Sequence, residues 1–307
     1  MIATETIALK CVPPFNFDLT ASLFSNGDAQ IRRFDEGKFW QVLRADNQLM
    51  LVTLRSSGTT ERPEISGELR SKSRITQKSK ERIQNELHML FDTQFDPEPF
   101  YKEISNDEVL KRITRQLKGL RIPSTPTVFE ALIDSIVEQQ ISLDVAHTLE
   151  TKVIRTFGDR LNIDGETYYA YPTPKNLAAA THERLRNCGL TVRKSEYIEN
   201  IARLALAKKL DLEVLRECNE VPKIIEKLDA IRGIGAWTAE LTIARSMHRY
   251  DVIPYDDLGL RRVISHYYCN DKRITAEEAR TIAEKWGEWK GLAGFYLIVA
   301  ETIEQAI

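Results

Sequence analysis

The stretch LDAIRGIGAWTAEL, Leu228 to Leu241, decides how this chain is read. A helical pattern over 221 to 229 ends near Ala230, RGIG turns the chain, and a second helix opens at Ala236. The spacing predicts a helix, hairpin, helix unit over about 221–248. Glycine at 233 and 235 removes Cβ atoms where positive φ or close backbone approach is needed, and leaves N–H groups open at the start of the second helix. The aligned peptide dipoles add partial positive charge there, so Gly233, Ile234, Gly235 and Ala236 suit an anion such as phosphate without any lysine. A plain helix connector has the same local pattern.

Further along, DVIPYDDLGLRR places Asp256 and Asp257 behind Pro254 at the start of another helical pattern. Adjacent acids there cap the orphan N–H groups of a helix, or one caps while the other faces a cleft and stabilises positive charge or activates water.

Working outward, the region after DPEPF at 96–100 is helical. Val128, Leu132, Ile133, Ile136 and Val137 form one apolar stripe, Thr173-Pro174 is a capped helix start, and similar patterns cover 183–207, 257–268, 275–286 and 292–305. The first hundred residues read differently. TIALKCV, AQIRRF, FWQVLRA and LMLVTLR are strands separated by Ser25-Asn26-Gly27 and Asp46-Asn47, and 76–91 supplies an amphipathic helix to cover one face. Between them, Leu69 to Arg82 carries six cations against one acid and reads as a solvated loop and helix start. The fold class is therefore α+β, with an antiparallel N-terminal domain over 1–97 and an all-helical domain over 98–307.

With 42% hydrophobic and 29% charged residues in 307, the chain can bury more than one core. No run approaches the roughly 20 apolar residues that span a bilayer. The opening MIATETIALKC lacks a basic-then-apolar signal pattern, so the expected compartment is the cytosol (beside the nucleoid) or the nucleus. Cys11, Cys188, Cys218 and Cys269 form no CxxC pair, and the five histidines form no metal-ligand spacing, so neither zinc nor a catalytic metal is expected. A net charge of −2 gives no overall attraction to nucleic acid; an anion-binding surface must be local.

Taken in order, PPFNFDLT, MLFDTQFDP, FEALIDSIVEQQIS, YPTPKNLAAAT, LRNCGLTVRKSEYI, IRGIGAWTAE, IPYDDLGLRR and EKWGEWK resemble the helix-hairpin-helix DNA glycosylases, within them the AlkA-like 3-methyladenine DNA glycosylases. The resemblance covers nearly the whole chain. It implies a TATA-binding-protein-like α+β domain followed by a helical domain holding the base pocket and a phosphate-gripping hairpin.

Position by position, the resemblance makes Asp257 the catalytic carboxylate, with Asp256 as the fallback. Trp237 occupies the place of the lyase lysine in bifunctional members, which implies a monofunctional hydrolase. It is also the leading stacking face for a cationic base, with Phe295 and Tyr296 as further pocket faces, because other family aromatics fall on Leu241 and near Ile298. Gln140 falls on the wedge that fills the gap left by a flipped nucleotide, and Arg232 adds a phosphate contact. The carbonyls of Asp229, Ile231 and Gly233 are the implied donors to a monovalent cation, Na⁺ or K⁺; no other cofactor is implied. The expected partner is double-stranded DNA containing damaged bases, bound by a monomer with no membrane association. The expected activity is excision of alkylated purines. Removal of an oxidised or deaminated purine, or a non-catalytic DNA-binding role in repair, are the alternatives.

Overall fold

The computed structural model describes residues 2–306. Five antiparallel strands, β1 (Ala3–Leu9), β2 (Arg32–Asp35), β3 (Lys38–Ala45), β4 (Gln48–Ser56) and β5 (Ile65–Ser71), form a sheet in the order β1-β5-β4-β3-β2. The short helix α1 (Phe17–Ser22) and α2 (Gln77–Leu90) pack on one face, where Phe17, Phe39, Ile83, Leu87 and Phe91 are buried together. Helix α2 begins at a Thr76–Ser79 capping box, which satisfies two of its orphan donors.

Strand β5 corrects the sequence expectation for its part of 69–82. Gly67 and the charged Glu68 and Arg70 dilute the strand signal, yet β5 lies between β1 and β4. A Cβ on Gly67 would stand 1.7 Å from the Thr53 carbonyl oxygen, so the glycine is what lets the two backbones meet.

The helices that follow are α3 (Glu98–Glu103), α4 (Glu108–Gln116), α5 (Val128–Glu138), α6 (Leu143–Phe157), α7 (Pro174–Ala178), α8 (His182–Asn187), α9 (Val192–Leu206), α10 (Val221–Asp229), α11 (Ala236–Ser246), α12 (Leu258–Tyr268), α13 (Ala276–Ala283) and α14 (Lys290–Ala306). One hairpin interrupts them. β6 (Arg160–Ile163) and β7 (Glu166–Tyr169) turn at Asp164-Gly165, both at positive φ, and send Leu161 and Ile163 onto Val42 and Leu51 of the sheet. The α-helical region thus reaches back with a β element to cover apolar side chains that the sheet alone would expose.

The helical region holds two cores. One gathers residues between Val128 and Val252; the other joins α3 and α4 to everything from Ile253 onward. The chain therefore leaves the second core and re-enters it immediately before Asp257. Arg121, fully buried, fastens this core to the sheet domain: its guanidinium donates to the carbonyls of Val12 and Phe95 at 3.1 Å and lies between the rings of Phe15 and Phe95.

A small cavity of about 30 Å³ separates the sheet from α5 and α6, with Glu130, Asp134 and Glu150 facing Arg32, Gln41 and Tyr171. Burial raises the Glu130 carboxyl to about 8, reinforced by Asp134, Glu86 and Glu213 and opposed by Arg32. Burial likewise raises Glu150 to about 9, with Asp134 and Glu138 adding and Arg245 and Arg32 opposing. Both groups keep their protons in the folded chain at pH values where the unfolded chain, titrating at about 4.3, has released them. Their contribution to stability is complete below that pH and declines as pH rises toward 8 to 9. Glu150→Gln removes one of these protonation demands. Between pH 5 and 9 the variant should gain on wild type by about 1 kcal/mol or more in denaturant unfolding; a constant difference across that range would refute the assignment.

Candidate nucleic-acid interface and catalytic site

Helix α10 ends at Asp229, and the turn that follows is held by Ile231 and Ile234, whose side chains enter the first helical core. Gly233 sits at φ +95°, a conformation that an L side chain resists. A Cβ there would also stand 2.4 Å from the ring of Tyr197 on α9, so the turn lies flat against that ring. Gly235 is the N-cap of α11 at φ −111°, exposed, with nothing within 4 Å of an added Cβ. No side chain caps α11, and among the described residues the N–H groups of Gly235 and Ala236 have no hydrogen-bond partner. The start of α11 therefore offers free donors to solvent.

Ile234 differs from its expected role. Its side chain is buried and its N–H already bonds the Ile231 carbonyl at 3.0 Å, so it shapes the turn and leaves the free N–H groups to Gly235 and Ala236. Arg232 is exposed at the rim, 3.5 Å from Glu196, a surface pair of little energetic weight.

Trp237, in the first turn of α11, and Asp257, the N-cap of α12, come together across the junction of the two helical cores. The indole Nε1 donates to Asp257 Oδ2 at 3.2 Å, while Asp257 Oδ1 accepts from the N–H of Leu260 at 2.8 Å. One carboxylate thus makes both contacts: Oδ1 ties it to the helix, and Oδ2 faces the hairpin tryptophan. Asp256 is exposed. Its charge acts on Glu240, one turn beyond Trp237, whose carboxyl is pushed up to about 7 first by burial and then by Asp256, against Arg280.

Gln140 is exposed at φ +58°, at the turn between α5 and α6, where a projecting side chain is available to an incoming ligand. Its neighbour was passed over in the sequence and proves structural to the site. Gln139 Nε2 donates to the Gly233 carbonyl and to Thr238 Oγ1, both at 3.0 Å, and so fixes the turn between α5 and α6 to the hairpin. Nothing in EQQIS distinguished the two glutamines; only which one turns inward does.

Of the remaining expected pocket faces, Tyr296 is a correction. It is fully buried in the second core, where its hydroxyl donates to the Leu120 carbonyl at 2.9 Å and lies 3.2 Å from the Tyr101 hydroxyl, so it presents no face to a ligand. Phe295 is partly buried beside it, edge-on at 6.5 Å, and no ring pair joins it to Trp237 among the described residues. Leu241 is half-buried, and Ile298 is exposed on α14.

Among the described residues, no group of three or more His, Cys, Asp or Glu side chains is arranged to hold a metal ion. Of the hairpin carbonyls, Ile231 accepts from Ile234 N–H and Gly233 from Gln139, which leaves each a second lone pair. No helix is long and apolar enough to cross a membrane among the described residues.

Comparison with known proteins bears on the fold and the family. Residues 133–288 match the model of the HhH-GPD superfamily base excision DNA repair protein family. A DNA-3-methyladenine glycosylase of Bacillus subtilis is 36% identical over 73% of this chain and 73% of its own length; DNA-3-methyladenine glycosylase 2 of Escherichia coli is 28% identical over 70% of each. The solved 3-methyladenine DNA-glycosylase from Archaeoglobus fulgidus superposes with a TM-score of 0.84 at 29% identity, over 99% of this chain and 100% of that one. With its glycine hairpin and the facing Trp237–Asp257 pair inside the matched segment, the chain belongs to the HhH-GPD superfamily of base excision DNA repair proteins.

Proposed function

We propose that this protein is a monofunctional DNA glycosylase that flips alkylated purines of the 3-methyladenine type out of double-stranded DNA and hydrolyses their N-glycosidic bond. The observation that carries the proposal is the Trp237–Asp257 contact beside the free N–H groups of α11. A purine alkylated on a ring nitrogen is cationic and a good leaving group, so the site needs no strong general acid. Departure leaves an oxocarbenium-like sugar, which the Asp257 carboxylate stabilises electrostatically while orienting the attacking water. Trp237 supplies an electron-rich face for a cationic base, worth roughly 0.5 to 2 kcal/mol. With tryptophan in the place of a nucleophilic lysine, no Schiff base to the sugar forms there.

Gly235 and Ala236 hold a backbone phosphate, Gln140 fills the vacated stack, and Arg232 contributes long-range attraction. The carbonyls of Asp229, Ile231 and Gly233, hard oxygen donors with lone pairs to spare, would hold a monovalent cation whose positive charge faces the same phosphate. The protein acts as a monomer on DNA in the cytosol or nucleus.

The test is release of free base from methylated duplex DNA, followed by chromatography, with strand nicking scored in parallel. Methylated purine release with strands intact until alkali is added is the expected outcome. Nicking without alkali would overturn the monofunctional reading. No release of methylated purines would overturn the substrate assignment and direct the assay to oxidised or deaminated purines.

A further inference from the structure

The N-terminal end of α12 carries a second feature beside Asp257. An open concavity of about 280 Å³ lies between this helix and the connector to α13, lined by Leu258, Arg261 and Arg262 on one side and Asp271, Lys272 and Arg273 on the other. Two of the charged groups are already engaged. Arg262 is held by both carboxylate oxygens of Glu301, Nη2 to Oε2 at 2.6 Å, and Asp271 lies 2.8 Å from His266 Nδ1. The other three cations are not. Among the described residues Arg261, Lys272 and Arg273 form no ion pair, and Arg261 Nε is buried without a hydrogen-bond partner.

Three unneutralised cations around one hollow repel one another, and an unpaired buried guanidinium nitrogen costs desolvation energy. The chain carries 45 acidic residues and a net charge of −2, yet only Asp271 lines this hollow. Such a surface is complementary to an anion from outside. Its position suggests which one. Leu258, 72% exposed at the rim, directly follows Asp257, and Arg261 is about one helical turn, roughly 6 Å of rise, beyond Asp257. Successive phosphates of one strand advance about 3.4 Å along the duplex axis, so a strand presenting a nucleotide to Asp257 has a phosphate within reach of this hollow about two nucleotides away.

We propose that Arg261, Lys272 and Arg273 form a second phosphate site, which holds the DNA backbone on the side of the lesion opposite the hairpin's free N–H groups. The inference rests on the reading of this chain as a duplex-binding glycosylase and adds to it a contact that depends on side-chain charge, whereas the hairpin uses backbone donors.

The experiment is fluorescence anisotropy with undamaged duplex DNA across about 50 to 200 mM salt. Wild type is compared with Arg261→Gln, with the double variant Lys272→Gln/Arg273→Gln, and with Lys208→Gln as an exposed cation on a distant turn. Removing a cation that touches phosphate should weaken binding by a similar factor on every sequence and lower the slope of log K against log salt by about 1. The double variant should therefore lose about tenfold or more in affinity at the low-salt end, with Lys208→Gln unchanged. Because Lys272 and Arg273 are both exposed, the double variant decides the matter even where Arg261→Gln disturbs the fold. Wild-type slopes and affinities in the double variant would overturn the second site alone. Absence of duplex binding by wild type would overturn the glycosylase reading as well.

Discussion

Asp257→Asn should leave the protein folded and lower the rate of base release about 10²- to 10³-fold, the loss that accompanies removal of one preorganised electrostatic partner, about 2.7 to 4 kcal/mol. The substitution separates two roles that share one side chain. Asparagine is as good an N-cap as aspartate, so its oxygen keeps the bond to Leu260 N–H. Its amide nitrogen then faces Trp237 Nε1, donor against donor, in place of the 3.2 Å contact. That mismatch costs about 1 to 3 kcal/mol of stability, a loss that denaturation reads separately from the rate. Asp257→Ala should lose the same catalytic factor and a further 1 kcal/mol or so from the missing cap. Asp256→Asn, at an exposed position, should release base at close to the wild-type rate. Single-turnover kinetics beside chemical denaturation reads all three; full activity in Asp257→Asn, or its loss in Asp256→Asn alone, would move the chemistry to the neighbouring residue.

The second large effect separates the two hairpin glycines. Gly233→Ala places a methyl at φ +95° and 2.4 Å from the Tyr197 ring, so the turn must rebuild or Tyr197 must leave. We expect a stability loss of about 2 kcal/mol or more and, with the hairpin displaced, a loss of more than tenfold in DNA affinity. Gly235→Ala meets nothing within 4 Å and sits at φ −111°, which alanine adopts freely. The unfolded-chain gain of about 0.4 to 1 kcal/mol is offset by a similar loss on replacing a glycine N-cap with alanine, so stability should stay within about 1 kcal/mol of wild type, yet binding should weaken about tenfold, because the new methyl stands in the path of the phosphate proposed to meet these N–H groups. A loss of affinity at near-unchanged stability identifies a glycine kept for a ligand and not for the fold. Wild-type affinity in Gly235→Ala would remove the hairpin from the DNA contact.

Both expectations use features that were legible in the sequence for a local reason. A turn needing positive φ, an N-cap, and apolar residues at helical spacing are set by residues within one or two turns, so GIG, an acidic N-cap at Asp256 or Asp257 and the α5 stripe could be placed without knowing what packs against them. The division into sheet and helical regions followed the same rule, because periodicity changes near residue 97. Where the local signal was mixed, it misled. Strand β5 carries a glycine and charges because its neighbour approaches too closely for a Cβ, a requirement imposed from Thr53 on β4. The β6–β7 hairpin had a clear Asp-Gly turn, but its reason to exist is the sheet surface that it covers.

Tertiary structure decided which side of each element does what. Tyr296 and Phe295 are adjacent on one helix, and their sequence does not say that α3 and the segment around Leu120 cover the first while the second stays partly open. Gln139 and Gln140 are chemically identical; the backbone turn sends one to the Gly233 carbonyl and the other to solvent. Trp237 and Asp257 stand on helices that pack into separate cores, and they meet only because the chain crosses from one core to the other between them. The sequence by itself determined the turns, caps and apolar faces, since those depend on bonds and sterics among near neighbours. The tertiary structure alone decided which polar groups converge, since that depends on how independently formed surfaces pack.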